Sequence, residues 1–316
     1  MTETTRAQRP PEPDWSAPTT EELIAYRDAE NRFRASDAAR AVTGEPDPGA
    51  SIAWQTLALP GRDLPVRVYR PTPEPEGGGV LPLVVHVHGG GFVGTAAQSD
   101  WVNSHLAAQL PAVVVSVEHR LLDPDHPMTT AAEDGWDVLR HVVRHAGPWG
   151  IHPARTAVFG ESAGALICAL AAIRARDTEP RLRAQVLVNP AVDVTGTMLD
   201  YPSAAEFART PTLGLPQLRL VGRLAVAPGT DPRTVSPLYA DSLGSLAPAL
   251  VVVPTHDPLA DQGRRYAERL RSAGTPARLA EHPGAGHAFL SMPGMAPQAE
   301  AARTEIREFL RAALTG

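Results

Sequence analysis

Residues 160–164 read Gly-Glu-Ser-Ala-Gly, a G-x-S-x-G match set directly after an apolar run (Thr156 to Phe159) and directly before a helix-forming run that begins at Ala163. A serine hydroxyl is a weak nucleophile unless a neighbouring base takes its proton and a sharp turn exposes it. The strand-turn-helix context supplies such a turn, with Gly160 and Gly164 removing side chains where strand and helix must approach closely. Without that context, the pentapeptide would be only a connection. The candidate nucleophile is therefore Ser162. His88-Gly89-Gly90-Gly91-Phe92 follows a second apolar run. Three successive glycines cost backbone entropy, and an oxyanion hole is a reason to bear that cost, because a substrate carbonyl reaches backbone N–H groups only where side chains are missing. Gly90, Gly91 and the amide of Ala163 are the expected donors. His88 is expected to brace the loop by hydrogen bonding, with Gly89 supporting it. The second Gly-Gly-Gly, at 77–79, lies between a Pro/Glu run and a strand and reads as a plain surface loop.

Acyl transfer also needs a base and an acid to orient it. Asp257 follows the run Pro248 to Val253, where an acid at the C-terminal end of a strand can reach a histidine on the next loop. Asp261, four residues on, competes with it but sits where a helix N-cap belongs. His287 lies in the small-residue loop Gly284-Ala285-Gly286-His287-Ala288, and it completes the chain order Ser, Asp, His. His256 and His282 are its rivals. His256 adjoins the acid and would crowd it, and His282 still belongs to the last strand. The expected triad is Ser162, His287 and Asp257.

The elements that must hold these residues are legible as a rhythm. Six short apolar runs, beginning near Leu81, Pro111, Arg155, Arg183, Pro248 and Pro276, alternate with helical spacing at 129–146, 162–176, 261–273 and 297–314. Unbroken Val and Leu suit strands covered on both faces, so the pattern predicts a mostly parallel, doubly wound α/β sheet. Residues 51–71, with a Pro-Gly turn at 60–61, read as an antiparallel edge hairpin. Residues 1–18 are Pro- and Thr-rich and read as disordered. Thr20, followed by Glu21 and Glu22, reads as the cap of a helix running to about Ala41. A stretch at about 195–230 breaks the rhythm and reads as a cap insertion. The expected organisation is an N-terminal tail and cap helix over 1–45 and one catalytic domain over 46–316.

Composition excludes other classes. A net charge of −6 leaves no basic footprint for nucleic acid. The polar, acidic N-terminus has no apolar signal core, and no apolar run reaches membrane-spanning length, so the sequence reads as soluble and cytoplasmic. Cys168, the single cysteine, sits in an Ala/Leu-rich run and reads as a core thiol. No histidine-carboxylate cluster has metal-site spacing and no G-x-G-x-x-G follows a strand, so neither metal nor cofactor is expected.

Taken together, the motifs at 88–92, 160–164, 256–263 and 284–289 resemble the hormone-sensitive-lipase-like, or family IV, bacterial esterases of the α/β-hydrolase fold. The resemblance extends over about 50–314 and takes in segments 67–71, 119–134, 189–193 and 236–241. It implies an eight-stranded, mostly parallel sheet flanked by helices, with a small helical cap built from 19–45 and 195–230. It also implies the same oxyanion donors, acid and base, and pairing of two copies through the last strand and helix. The chain departs from the family at His119, where tyrosine is usual, and at Glu161, where Asp or Thr is usual; altered packing rather than lost activity is expected. The implied activity is hydrolysis of small carboxylic esters through a serine acyl-enzyme, and the low aromatic content, 5%, points to short acyl chains. An amidase or peptidase on the same scaffold is the alternative within enzymology. A non-catalytic small-molecule receptor is the alternative outside it.

Overall fold

The computed structural model describes residues 11–73 and 79–315. Two of the glycines at 77–79 fall outside the described residues, as do residues 1–10 of the tail. Eight strands form one sheet in the order β1-β2-β4-β3-β5-β6-β7-β8. Strands β1 (Ala50–Leu59) and β2 (Arg62–Pro71) make the antiparallel edge hairpin, β2 also runs antiparallel to β4 (Val113–Val117), and every later pairing is parallel. The remaining strands are β3 (Leu81–Val87), β5 (Ile151–Glu161), β6 (Ala184–Val188), β7 (Ala249–His256) and β8 (Ala277–Gly286).

The continuous valine runs are explained by burial on both faces. In β4 every residue is buried. Along β3, Leu83, Val85 and Val87 join the apolar cluster that holds Leu139, Leu166 and Leu270, whereas Val84 joins the cluster that holds Val102, Leu106, Ile306 and Leu310. The period of two thus divides each strand between two helical layers. Helices α2 (Asp100–Gln109) and α8 (Ala299–Leu314) cover one face, and α3 (Met128–Arg144), α4 (Ala163–Ala175) and α7 (Ala260–Ser272) cover the other. In such sheets the crevice beyond the C-terminal strand ends is where a ligand fits.

Helix α1 (Thr20–Arg34) departs from expectation at both ends. Its N-cap is Thr19, not Thr20: the Thr19 hydroxyl accepts from the Glu22 amide while the Glu22 carboxylate accepts from the Thr19 amide, a reciprocal capping box. It stops at Arg34 instead of Ala41, because Ser36 is extended and its hydroxyl donates to the Phe33 carbonyl at 2.6 Å, competing with the helical ladder. The expectation of disorder through residue 18 also fails at Trp15. This side chain is buried, with its ring centroid 5.1 Å from Tyr26 and 5.3 Å from Phe92, so a single large aromatic docks the segment on the glycine loop.

The segment at 195–230 carries α5 (Pro202–Glu206) and α6 (Leu215–Leu224). It is rooted on the buried Asp193, whose carboxylate accepts from the Thr195 amide at 2.8 Å, the Thr197 hydroxyl at 2.8 Å and the Tyr201 hydroxyl at 2.8 Å. Arg223 of α6 donates to the Trp15 carbonyl, which ties this segment to the N-terminal one.

Candidate active site

Strand β5 ends at Glu161 and α4 starts at Ala163, leaving Ser162 alone to turn the chain. It does so at φ 56° and ψ −117°, a left-handed conformation rare for a residue with a side chain. The turn is possible because its flanks lack side chains: a Cβ on Gly160 would strike the Gly164 backbone, and one on Gly164 would strike the Val87 carbonyl. The Ser162 amide donates to the Val188 carbonyl at 2.9 Å, fixing the elbow to β6.

The structure brings the three predicted triad residues together. Ser162 Oγ lies 2.9 Å from His287 Nε2, and His287 Nδ1 lies 2.9 Å from Asp257 Oδ2. Asp257 is fully buried and its other oxygen accepts the Leu259 amide at 2.8 Å, so both carboxylate oxygens have fixed partners. This arrangement makes His287 Nδ1 the donor and leaves Nε2 to accept from the serine hydroxyl. Burial opposes the charged imidazolium, but the Asp257 carboxylate and its hydrogen bond, with Glu161 beside it, outweigh burial and raise the His287 pKa.

The rivals are occupied elsewhere. His256 stacks on Phe207 at 5.3 Å, and His282 lies 3.4 Å from Glu305 of α8. Asp261 is not the N-cap expected of it, since Leu259 holds that position and Asp261 falls in the first turn of α7. Its carboxylate accepts from the Ser203 amide and from Arg264, both at 2.9 Å, clamping α5 to the first turn of α7.

The glycine loop runs beside the elbow, and a Cβ on Gly89 would sit 3.4 Å from the Ser162 Cβ. Gly90 has φ +98°, and a Cβ there would overlap the Val93 carbonyl, so only glycine closes this bend. Among the described residues, no protein acceptor takes the amides of Gly90, Gly91 or Ala163. His88 is fully buried and its Nδ1 donates to the Gly89 carbonyl at 3.0 Å. Its ring stacks on His119 at 4.3 Å, and burial lowers both pKa values to about 4, so the pair is neutral near pH 7. The His119 departure is thus a packed neutral ring behind the loop.

Glu161, the second departure, is packed and hydrogen-bonded. It is buried, one oxygen accepts from the Ser291 hydroxyl, and the other has no hydrogen-bond partner among the described residues. Burial raises its pKa, against the opposing pull of Ser291, His287 and Arg34. Sequence reasoning missed Ser291, along with Asn31, Arg34 and Gln98 around the glycine loop. Only Gln98 had a local signal, since Thr95-Ala96-Ala97-Gln98 is a capping-box pattern, of which the structure forms one half, the Thr95 amide donating to the Gln98 side-chain oxygen at 3.4 Å.

A cavity of about 230 Å³ opens onto Ser162 and His287, with Trp15, Phe92, Leu213, Leu218 and Val221 among its apolar walls. Among the described residues no group of His, Cys, Asp and Glu has the arrangement to hold a metal ion, and no helix is long and apolar enough to cross a membrane. Cys168 is buried in α4, where burial pushes its thiol pKa up and leaves no reactive thiolate.

Comparison with known proteins agrees with this geometry. The family described as alpha/beta hydrolase fold matches residues 84–291. Carboxylesterase NlhH of Mycobacterium tuberculosis is 37% identical over 262 residues, covering 80% of this chain and 79% of that protein. Esterase LipI of the same organism is 35% identical over 269 residues, covering 82% of each. Among solved structures, an ester hydrolase from the Lake Arreo metagenome superposes with a TM-score of 0.86 at 30% identity, covering 99% of this chain and 95% of that one. The hyperthermophilic esterase of the archaeon Pyrobaculum calidifontis superposes with a TM-score of 0.80 at 31% identity, covering 92% and 93%. The chain therefore belongs to the α/β-hydrolase fold family and, within it, to the hormone-sensitive-lipase-like branch that its motifs resemble.

Proposed function

We propose that this protein is a serine carboxylesterase acting on small, short-chain acyl esters, with Ser162 as nucleophile, His287 as general base and acid, and Asp257 as the orienting carboxylate. The observation that carries this reading is the 2.9 Å approach of His287 Nε2 to Ser162 Oγ, in a cavity lined also by Gly90, Gly91 and Ala163, whose amides have no protein acceptor among the described residues. His287 takes the hydroxyl proton as Oγ attacks the ester carbonyl. The oxyanion settles on Gly90, Gly91 and Ala163, and collapse expels the alcohol, which His287 protonates. A water molecule, deprotonated by the same imidazole, then releases the acid. No resident cofactor or metal takes part in this scheme. The cap segments within 11–45 and 195–230 set the acyl length, because their residues Trp15, Leu213, Leu218 and Val221 wall the cavity.

The test is a p-nitrophenyl ester series from acetate to palmitate beside a matched p-nitroanilide. The short esters should give the highest kcat/KM, with palmitate at least about tenfold lower, since each methylene that finds no apolar wall forfeits its burial. A preference for the anilide would make the enzyme an amidase, and no turnover of any ester would remove the reading.

The pH dependence follows from His287, which must be neutral to accept a proton. Because its pKa is raised, kcat/KM should fall as pH drops through a midpoint above about 6.5. The Glu161 carboxylate helps to hold the imidazolium, so E161Q should move that acid limb to lower pH while leaving most of kcat. An acid limb that stays in place would show that Glu161 acts through packing alone.

A further inference from the structure

We propose that Gln98, held in turn by Arg34 of the N-terminal helix, is a positioning residue that aims the Gly90 amide into the cavity. This rests on the reading of Gly90 as an oxyanion donor and extends it to groups outside the loop. The carbonyl of Gly89 and the N–H of Gly90 belong to one planar trans peptide unit and point in opposite directions. Whatever fixes the carbonyl therefore aims the amide. Two donors fix it: His88 Nδ1 at 3.0 Å and Gln98 Nε2 at 3.1 Å.

Gln98 is buried, and its orientation is determined by its partners. Its oxygen accepts from Arg34 Nη1 at 3.0 Å and from the Thr95 amide at 3.4 Å, so its NH₂ group must be the end that faces Gly89. Arg34 is itself anchored by Glu30 one helical turn back, at 3.0 Å. Helix α1 grips the same loop a second time, because Asn31 Oδ1 accepts the Gly94 amide at 2.7 Å. The loop from Gly89 to Gly94 is thus held at both ends from α1, through hydrogen bonds between residues 63 and 64 apart in sequence. Seating α1 completes the oxyanion hole as well as covering the cavity.

The variant that isolates this role is Q98E. It keeps the size of the side chain and the oxygen that accepts from Arg34 and Thr95, but it loses the N–H that holds the Gly89 carbonyl. With p-nitrophenyl acetate, Q98E should lower kcat about 10- to 100-fold with KM within about twofold, since loss of a whole oxyanion donor costs about 10²–10³ in kcat and a misaimed one costs less. Affinity for a trifluoromethyl ketone, which places an oxyanion in the hole, should fall by the same factor as kcat/KM. R34M, which frees the glutamine oxygen without touching the loop, should give a smaller loss in the same parameter and keeps the test available if Q98E does not fold. A Q98E or R34M enzyme with intact kcat, or with a loss confined to KM, overturns the proposal. A parent enzyme inert toward every ester would instead overturn the esterase reading on which it rests.

Discussion

Replacing Ser162 with alanine is expected to lower kcat for p-nitrophenyl acetate by about 10⁵- to 10⁶-fold, the scale seen when the nucleophile of a comparable triad is removed. The size of the effect follows from what remains. His287 and Asp257 would still be paired at 2.9 Å, but without Oγ the base has no bound nucleophile to activate and the acyl-enzyme cannot form. Only the proposed oxyanion amides and substrate binding stay, and these alone should leave about 10³–10⁴-fold over the uncatalysed reaction. The substitution removes one atom at a left-handed position that alanine tolerates no better and no worse than serine, so the melting temperature should stay close to that of the parent. Steady-state rates of both proteins, with fluorophosphonate labelling as the second readout, decide the matter. A loss below about tenfold, or labelling that persists in S162A, would place the nucleophile elsewhere.

The sequence was most legible where function and backbone geometry coincide. At residues 160–164 the glycines are required by contacts so close that a Cβ would strike backbone atoms, and such positions leave a local signature. The sheet was legible for a similar reason, because Val84 and Val85 face opposite helical layers and only an unbroken apolar run satisfies both. What escaped was long-range. Trp15 stands in a Pro-rich stretch whose composition suggests disorder, yet its indole finds Tyr26 and Phe92, and no local pattern records that contact. Asp261 has the type and place of an N-cap, but it binds Ser203 of the cap instead, since tertiary partners outweigh a weak local preference. The end of α1 was missed because one serine hydroxyl, at Ser36, diverts the ladder. Asn31, Arg34 and Gln98 look like ordinary polar residues of helical turns, and their importance lies in which loop they reach.

The second large effect is expected at Asp257, and the reason lies in an amide two residues away. The Leu259 N–H donates to Asp257 Oδ1 at 2.8 Å, so in D257N the side-chain oxygen must keep that place and the new NH₂ group must face His287 Nδ1. A donor opposite Nδ1 forces the imidazole to carry its proton on Nε2. The nitrogen that should accept from Ser162 then presents a hydrogen to it. D257N should therefore retain its fold and lose about 10³–10⁴-fold in kcat, in line with the tautomer-inverting change described for serine proteases. The neighbouring D261N separates this from a general sensitivity to lost carboxylates. Asp261 pairs with Arg264 and the Ser203 amide, so its replacement should lower stability by about 1 kcal/mol through a loosened cap while kcat changes less than about tenfold. Parallel kcat and thermal-melt measurements on the two variants distinguish the roles. Equal losses of kcat in both would mean that the carboxylates act on the cap and not on the imidazole, and a D257N enzyme with more than about a tenth of the parent kcat would mean that His287 is oriented by some other group.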